Sequence, residues 1–182
     1  MTMRVYQMPG STTEGVHAEL YVRSLAPRGV RERQAAVLER LETLVDHGTI
    51  ADYTVHVCGR ELPASPAEAV TEFGTFLLNR IAVFTEWADR NGWTLDSLFE
   101  TERIESRITG QKHERVEMPV MLLAEYEGRD LRFVSPCSNE ATNWSVVDRL
   151  DELAAEDAQP ERAEPLRRAR ADPPDRSAVP TQ

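Results

Sequence analysis

Two stretches of alternating apolar and polar residues enclose a helical pattern near the start of the chain, and this order constrains the fold most. Apolar side chains occupy every second position of residues 16–22, as in a strand with one buried face. Residues 37–45 then carry leucine and valine at helical spacing, and Gly48 follows where a helix would end. Residues 53–57 alternate again. This connection is long enough for a parallel crossover, so we predict a β-α-β unit.

A long helix is predicted next. Ser65 and Pro66 supply an N-cap and a first-turn proline, and Glu68 completes a capping box. The apolar stripe that follows predicts a mostly buried helix over residues 65–91. Thr94 is expected to cap a short helix that extends through about residue 100.

The remaining pattern predicts strands and one more helix. Residues 104–108, 116–124 and 131–134 are expected to form a three-stranded antiparallel meander, with a bulge or an unpaired edge at Pro119. A closing helix is expected from Val146. The predicted fold class is therefore α+β.

Composition sets the expected limits of the folded domain. Residues 1–15 are polar and rich in small residues, and we expect a flexible extension there. Residues 156–182 hold five of the eleven prolines and no aromatic residue. Such a segment buries too little apolar surface to offset the entropy of ordering, which predicts a disordered tail. Residues 16–155 are expected to form a single domain.

The charge of the chain restricts both its setting and its partners. The sequence has one lysine, twenty arginines and 31 acidic residues, with a net charge of −10. An acidic protein almost free of lysine is typical of a halophilic, salt-rich cytoplasm. The net charge argues against general nucleic-acid or membrane binding at ordinary salt. No apolar stretch is long enough to span a membrane and no signal peptide is visible, so a cytoplasmic location is expected.

The strongest functional pattern lies between residues 84 and 103. Ala88, Gly92 and Leu98 have the spacing of a helix-turn-helix, which needs a small residue in its first helix, a glycine at the turn and an apolar anchor in its second helix. The residues expected near a DNA groove are Trp93, Thr94 and Ser97. The alternative is a helical hairpin that only packs the core, because the second helix would also carry several acidic residues that repel phosphate.

The strand pair after this pattern resembles the wing of a winged helix. Its basic residues are Arg103, Arg107, Lys112 and Arg115. Against Glu105 and Glu114 they leave a local charge of four minus two, or +2. Such a wing could contact a DNA backbone. The alternative is a solvated hairpin with alternating charges.

A second basic stretch surrounds the start of the first predicted helix. Its basic residues are Arg23, Arg28, Arg31 and Arg33. With Glu32 as the one acid, residues 23–33 carry four minus one, or +3. A helix N-terminus favours an anion, so this stretch predicts an alternative function as a protein-interaction or small-anion-binding module.

Catalytic and metal-binding patterns are absent from the sequence. None of the common hydrolase motifs occurs, which predicts a non-enzymatic protein without a cofactor. His56 and Cys58 share one strand face but lack zinc-site spacing, so no metal site is predicted. Cys137 has no sequence neighbour that would activate its thiol.

Four blocks of the chain resemble a known family. They are residues 18–34 (AELYVRSLAPRGVRERQ), 84–93 (FTEWADRNGW), 122–127 (LLAEYE) and 134–138 (VSPCS). They are similar to a small family from halophilic archaea labelled "HTH domain-containing protein", and the resemblance covers roughly residues 16–153. It implies DNA binding, and with it a role in transcription regulation, but it supplies no catalytic residues. A homodimer stays open, since most helix-turn-helix readers are dimers and no long heptad seam is present.

Overall fold

The structure is a computed structural model that describes residues 15–24, 27–65, 67–69, 71–95, 98–105 and 112–157. The predicted flexible extension before Gly15 and the predicted tail beyond Asp157 lie outside these residues. The elements, in chain order, are β1 (Val16–Arg23), α1 (Arg28–His47), β2 (Asp52–Cys58), β3 (Glu61–Pro63), α2 (Glu72–Asn91), β4 (Thr101–Glu105), β5 (Lys112–Glu117), β6 (Met121–Glu127), β7 (Asp130–Ser135), β8 (Cys137–Ser138), β9 (Asn143–Trp144) and α3 (Val146–Asp157). The predicted α+β class is confirmed.

Four strands form the central sheet in the order β2-β1-β6-β7. β1 and β2 are parallel and joined through α1, which confirms the predicted β-α-β unit. β6 runs antiparallel to both β1 and β7. Gly48 ends α1 in the left-handed conformation with φ of 80°, the role expected from the sequence.

Helices cover both faces of this sheet, so β1, which the sequence predicted to bury one face, is buried on both. Leu20 of β1 packs with Leu41 of α1 and Leu150 of α3 in one core cluster. On the other face, Tyr21 packs with Phe84 of α2 in a second cluster. α1 and α3 therefore share one face and α2 lies on the opposite face.

The predicted three-stranded meander is wrong in its connectivity. β4 and β5 pair with β3 in a separate three-stranded sheet, whereas β6 and β7 belong to the central sheet. The single strand expected over residues 116–124 is two strands, because β5 ends at Glu117 and β6 begins at Met121. Pro119 lies in this gap, where its missing N–H costs no ladder hydrogen bond.

The predicted start of the long helix is also wrong. α2 begins at Glu72, and Thr71 is its N-cap, with its side chain accepting a hydrogen bond of 3.0 Å from the Gly74 N–H. Ser65 instead takes part in a turn, in which its carbonyl accepts from the Glu68 N–H at 3.1 Å. The turn connects β3, which the sequence pattern did not predict, to the helix.

Candidate nucleic-acid interface

The described residues between Gly92 and β4 form an extended stretch and then a turn, in which the Leu98 N–H donates to the Leu95 carbonyl at 2.8 Å, and none of them is helical. Gly92 has φ of 70° and ends α2, as the helix-turn-helix spacing predicts. Thr94 then pairs with Ser138, each N–H donating to the other's carbonyl at 2.7 and 3.1 Å. The second helix predicted from Thr94 onward is therefore wrong for this stretch. Its candidate contact Ser97 lies outside the described residues.

Trp93 belongs to an aromatic cluster at the β7 edge of the sheet. Its ring meets Phe133 edge-to-face with centroids 6.0 Å apart. Trp87 and Trp144 approach the same phenylalanine at 5.6 and 6.3 Å. The Arg149 guanidinium lies 4.7 Å from the Phe133 centroid on another side. Trp93 is thus half-buried in packing, and Thr94 beside it is exposed.

The basic residues of the predicted wing are largely neutralised where they are described. Arg103 pairs with Glu114 across the β4–β5 ladder at 2.5 Å. Arg115 pairs with Glu61 of β3 at 2.6 Å. Arg107 and the side chain of Lys112 lie outside the description. The local excess of +2 counted in the sequence does not include Glu61, which only the tertiary fold brings to this hairpin.

Three arginines at the start of α1 have a different environment. Arg28, Arg31 and Arg33 are exposed, and none of them forms an ion pair with a described residue. The first turn of α1 contains no acidic residue, and its N-cap Pro27 provides no side-chain hydrogen bond. The helix dipole adds partial positive charge at this end. Arg28 and Arg31 are three residues apart and lie on one side of α1, whereas Arg33 lies on another side of the helix. The three arginines are named the α1 arginine patch below.

Arg23, which the sequence pattern groups with these three arginines as an anion-binding candidate, makes structural contacts instead. Its guanidinium donates to Glu117 at 2.7 Å and to the Met118 carbonyl at 3.3 Å. The Gln34 side chain donates to the Arg23 carbonyl at 3.2 Å. These bonds fasten the end of β1 to the β5–β6 connection and to α1. The structure therefore separates Arg23 from the other three candidates.

A groove of about 690 Å³ opens beside the α1 arginine patch. Its lining includes residues 118–121, Val30 and Val146 from the starts of α1 and α3, and the carboxylates Glu100 and Glu117. Arg33 of the patch lines the groove. Arg23 lines it too, but its guanidinium is paired with Glu117. The sequence did not predict this groove, because its lining comes from segments far apart in the chain. The apolar run around Pro119 was the one available signal.

A polar cluster buried between the sheet and α2 was also missed. Glu19 accepts hydrogen bonds from the Tyr21 hydroxyl at 2.6 Å and from Arg80 at 2.9 Å. Arg80 also stacks over the Tyr126 ring at 5.1 Å. Burial, followed by the charge of Glu19, raises the pKa of Tyr21 well above its usual range. His56, stacked on Tyr21 at 4.8 Å, has a lowered pKa because of burial.

The charges of Glu19 and Arg80 compensate each other, and their ion pair joins β1 to α2. The alternation of apolar and polar residues in β1 puts Glu19 on the polar face, and this pattern predicts that its side chain faces solvent. One sequence signal for the burial of Glu19 was available. The apolar stripe of α2 is broad, so this helix must pack on the sheet, and it then covers the face that carries Glu19.

The two cysteines are buried and are not paired with each other. Burial raises the pKa of the Cys58 thiol to about 12 and that of the Cys137 thiol to about 11. Both are therefore protonated at neutral pH and poor nucleophiles. Within the described ranges, no group of three histidine, cysteine or acidic side chains is arranged to hold a metal ion.

Comparison with protein families gives a match that covers most of the chain. A family described as a helix-turn-helix domain matches residues 10–158. The chain belongs to this helix-turn-helix domain family. No curated protein and no solved structure matches it. Membership supports a DNA-binding protein, and it points to binding rather than catalysis.

The family description does not by itself locate the DNA contacts of this helix-turn-helix protein. In the described part of the chain, strands separate α1 from α2 and α2 from α3. The contacts must therefore be inferred from charge and exposure. None of the described helices is both long enough and apolar enough to cross a membrane.

Proposed function

We propose that this helix-turn-helix family protein is a non-enzymatic, transcription-associated DNA-binding protein that contacts phosphates through the α1 arginine patch. The supporting observation is that Arg28, Arg31 and Arg33 are exposed at a helix N-terminus without a described carboxylate partner. Side chains of this kind position a protein on the DNA backbone without reading sequence. The wing arginines Arg103 and Arg115 would have to give up an ion pair first.

We further propose that the protein works in a salt-rich cytoplasm. The net charge of −10 and the near absence of lysine support this setting. At high salt the long-range repulsion between an acidic protein and DNA is screened within a few ångströms. A local basic patch can then act although the whole chain is acidic, but its own phosphate contacts also weaken as the salt concentration rises. Affinity must accordingly be measured over a range of salt concentrations.

Replacing Arg28, Arg31 and Arg33 together by alanine is expected to weaken DNA binding about tenfold or more at the lowest salt tested. Each lost phosphate contact removes counterion release, so the slope of log affinity against log salt should fall by about 2–3. Fluorescence anisotropy with a labelled duplex measures both quantities. Arg40→Ala is the matched control, because Arg40 is on the same helix but pairs with Asp151 at 2.9 Å. It should leave both quantities nearly unchanged.

The wing prediction is tested in the same assay. If Lys112→Glu or the Arg103→Ala/Arg115→Ala pair weakens binding more than the α1 triple variant does, the phosphate contacts belong to the wing. If the native chain binds no duplex at any salt concentration, the proposed function is wrong.

A second candidate function, the binding of a small amphipathic anion, is supported by the groove beside Arg33. Its volume of about 690 Å³ suits a small ligand, and most of its lining residues are apolar. The lining also contains Glu100 and Glu117; Glu117 is paired with Arg23, which leaves Arg33 as the cation available to an anion. An apolar body would pack on Val120, and a carboxylate would meet Arg33.

Octanoate is a suitable probe for the groove. It is expected to raise the unfolding temperature by about 2–4 °C at saturation, since a ligand that binds only the native state stabilises it. Arg33→Ala should abolish the shift, whereas Arg40→Ala should retain it. Differential scanning fluorimetry measures the effect, with octanol as the uncharged control. An equal shift with octanol, or no shift with octanoate, would exclude a carboxylate site.

A further inference from the structure

The central sheet has two edge strands, and one of them is well protected against further strand pairing. β7 carries the exposed charged residues Asp130 and Arg132. Its pairing with β6 shifts register between Glu125 and Tyr126, which marks a bulge. Phe133 is surrounded by the aromatic cluster. Charge, a bulge and bulky cover are the usual devices that stop sheets from joining edge to edge.

The other edge strand, β2, has none of these devices. It pairs with β1 in an unbroken parallel register from Asp52 to Cys58. It contains no lysine, arginine or proline, and its single charged residue, Asp52, lies at one end. No described strand pairs with its outer side. A seven-residue edge strand without a described partner on its outer side is a template for another strand.

Exposed apolar side chains gather at the same edge. The large hydrophobic residues that are exposed in the described part of the chain are Val55, Val57, Phe73 and Val83. Val57 has 60% of its surface exposed, the most of the four. Val55 lies two positions before it on β2. Phe73 reaches the opposite face of the edge, where its ring lies 6.4 Å from that of His56. Three of the four therefore lie on or beside β2, so the exposed large apolar side chains of the described residues are concentrated at this edge.

The sequence of β2 is complementary to itself when two copies run antiparallel. With the twofold axis at Val55, Tyr53 of one copy faces Val57 of the other, and Val55 faces itself. These pairs form an unbroken apolar row on one face of the sheet. Thr54 faces His56 on the opposite face. No like charges oppose each other, because Asp52 faces the uncharged end of the second strand.

We propose that the outer edge of β2 pairs antiparallel with β2 of a second copy, and that this joins two four-stranded sheets into one of eight strands. A twofold interface of this kind uses the same patch on both copies. The pairing satisfies the free backbone groups of β2 and covers Val55, Val57 and Phe73. It goes beyond DNA binding and is independent of it, because the α1 arginine patch lies on other residues.

The test is the oligomeric state of the full chain without DNA. Sedimentation velocity over a micromolar concentration range is expected to show a species of twice the chain mass of 20.6 kDa. Val57→Lys places a charge in the apolar row and should raise the dimer dissociation constant by about tenfold or more, since edge lysines block strand pairing. Val83→Lys is the matched control on α2 and should leave the dimer unchanged. Both sites are exposed, so both variants should retain the native circular dichroism spectrum.

Cross-linking locates the contact. Opposed residues of antiparallel strands have Cα atoms about 4.5–5.5 Å apart, within reach of a disulfide. Val55→Cys is therefore expected to form covalent dimers under mild oxidation, and Val83→Cys is not. The native thiols are buried and should not compete. A monomer at every concentration, a dimer that persists in Val57→Lys, or equal cross-linking of the two cysteine variants would each overturn the proposal. Loss of DNA binding with the dimer intact would affect only the proposed function.

Discussion

Replacing Glu125 by alanine is expected to lower the free energy of unfolding by about 3–5 kcal/mol. Glu125 is 2% exposed and accepts two hydrogen bonds from Arg149, at 2.8 and 2.7 Å. These bonds join β6 to α3. Burial on its own would lower the pKa of Arg149, but the hydrogen bonds and charges of Glu125 and Glu152 raise it above its usual range. Arg149 would therefore remain charged in the variant, with its buried partner missing.

Urea denaturation followed by circular dichroism measures this loss. The exposed pair between Glu127 and Arg132 is the matched control, and Glu127→Ala should cost no more than about 1 kcal/mol. Replacing Glu125 by leucine and Arg149 by methionine together should recover most of the stability, because neither charge is then left unpaired. If Glu125→Ala cost as little as Glu127→Ala, the buried pair would not hold α3 to the sheet.

Stability is expected to fall steeply as the pH rises above 9. Burial raises the pKa of the Cys58 thiol from 9.0 to about 12. The folded state therefore keeps this proton while the unfolded chain loses it. The stabilisation is complete below pH 9.0 and is lost progressively up to about pH 12. Each unit of pKa shift is equivalent to about 1.4 kcal/mol, so Cys58 alone contributes up to about 4 kcal/mol.

Tyr21 and Tyr126 act in the same direction, because burial also raises their pKa values above the usual range. Urea denaturation at pH 8 and at pH 10.5 should show the difference. Cys58→Ala removes one of the shifted groups and should flatten the pH dependence, although it also removes packing at every pH. An unchanged pH dependence in Cys58→Ala would show that the tyrosines account for the loss.

Local sequence patterns predicted the elements whose signals come from their own residues. Alternation and helical spacing predicted β1, α1 and β2, because the period of the apolar residues distinguishes a strand from a helix. The period did not report burial, since β1 is buried on both faces and the apolar face of β2 leaves Val55 and Val57 exposed. The same reasoning placed the end of α1 at Gly48, where a left-handed residue is needed. It was wrong at the start of α2, where Thr71 caps the helix instead of Ser65, since both residues are good N-caps and only the neighbouring β3 distinguishes them.

The candidate site was less predictable than the fold, because net local charge depends on neighbours from distant segments. Arg103 and Arg28 look alike in the sequence, each within a basic stretch. The fold brings a carboxylate to Arg103 and leaves Arg28 without a described partner. The assumed second helix after Gly92 was wrong because pairing of Thr94 with Ser138, a residue 44 positions later, outweighs a weak local helix signal.

By itself, the sequence determined the fold class, the parallel β-α-β unit, the acidic character of the chain and its resemblance to helix-turn-helix proteins. These follow from periodicity, composition and block similarity, which need no knowledge of partners. Only the tertiary structure decided that the meander divides between two sheets, that Arg23 pairs with Glu117, and that β2 is an edge strand among the described strands. Those features depend on contacts between residues far apart in the chain, and a local sequence pattern carries no information about the free energies of such contacts.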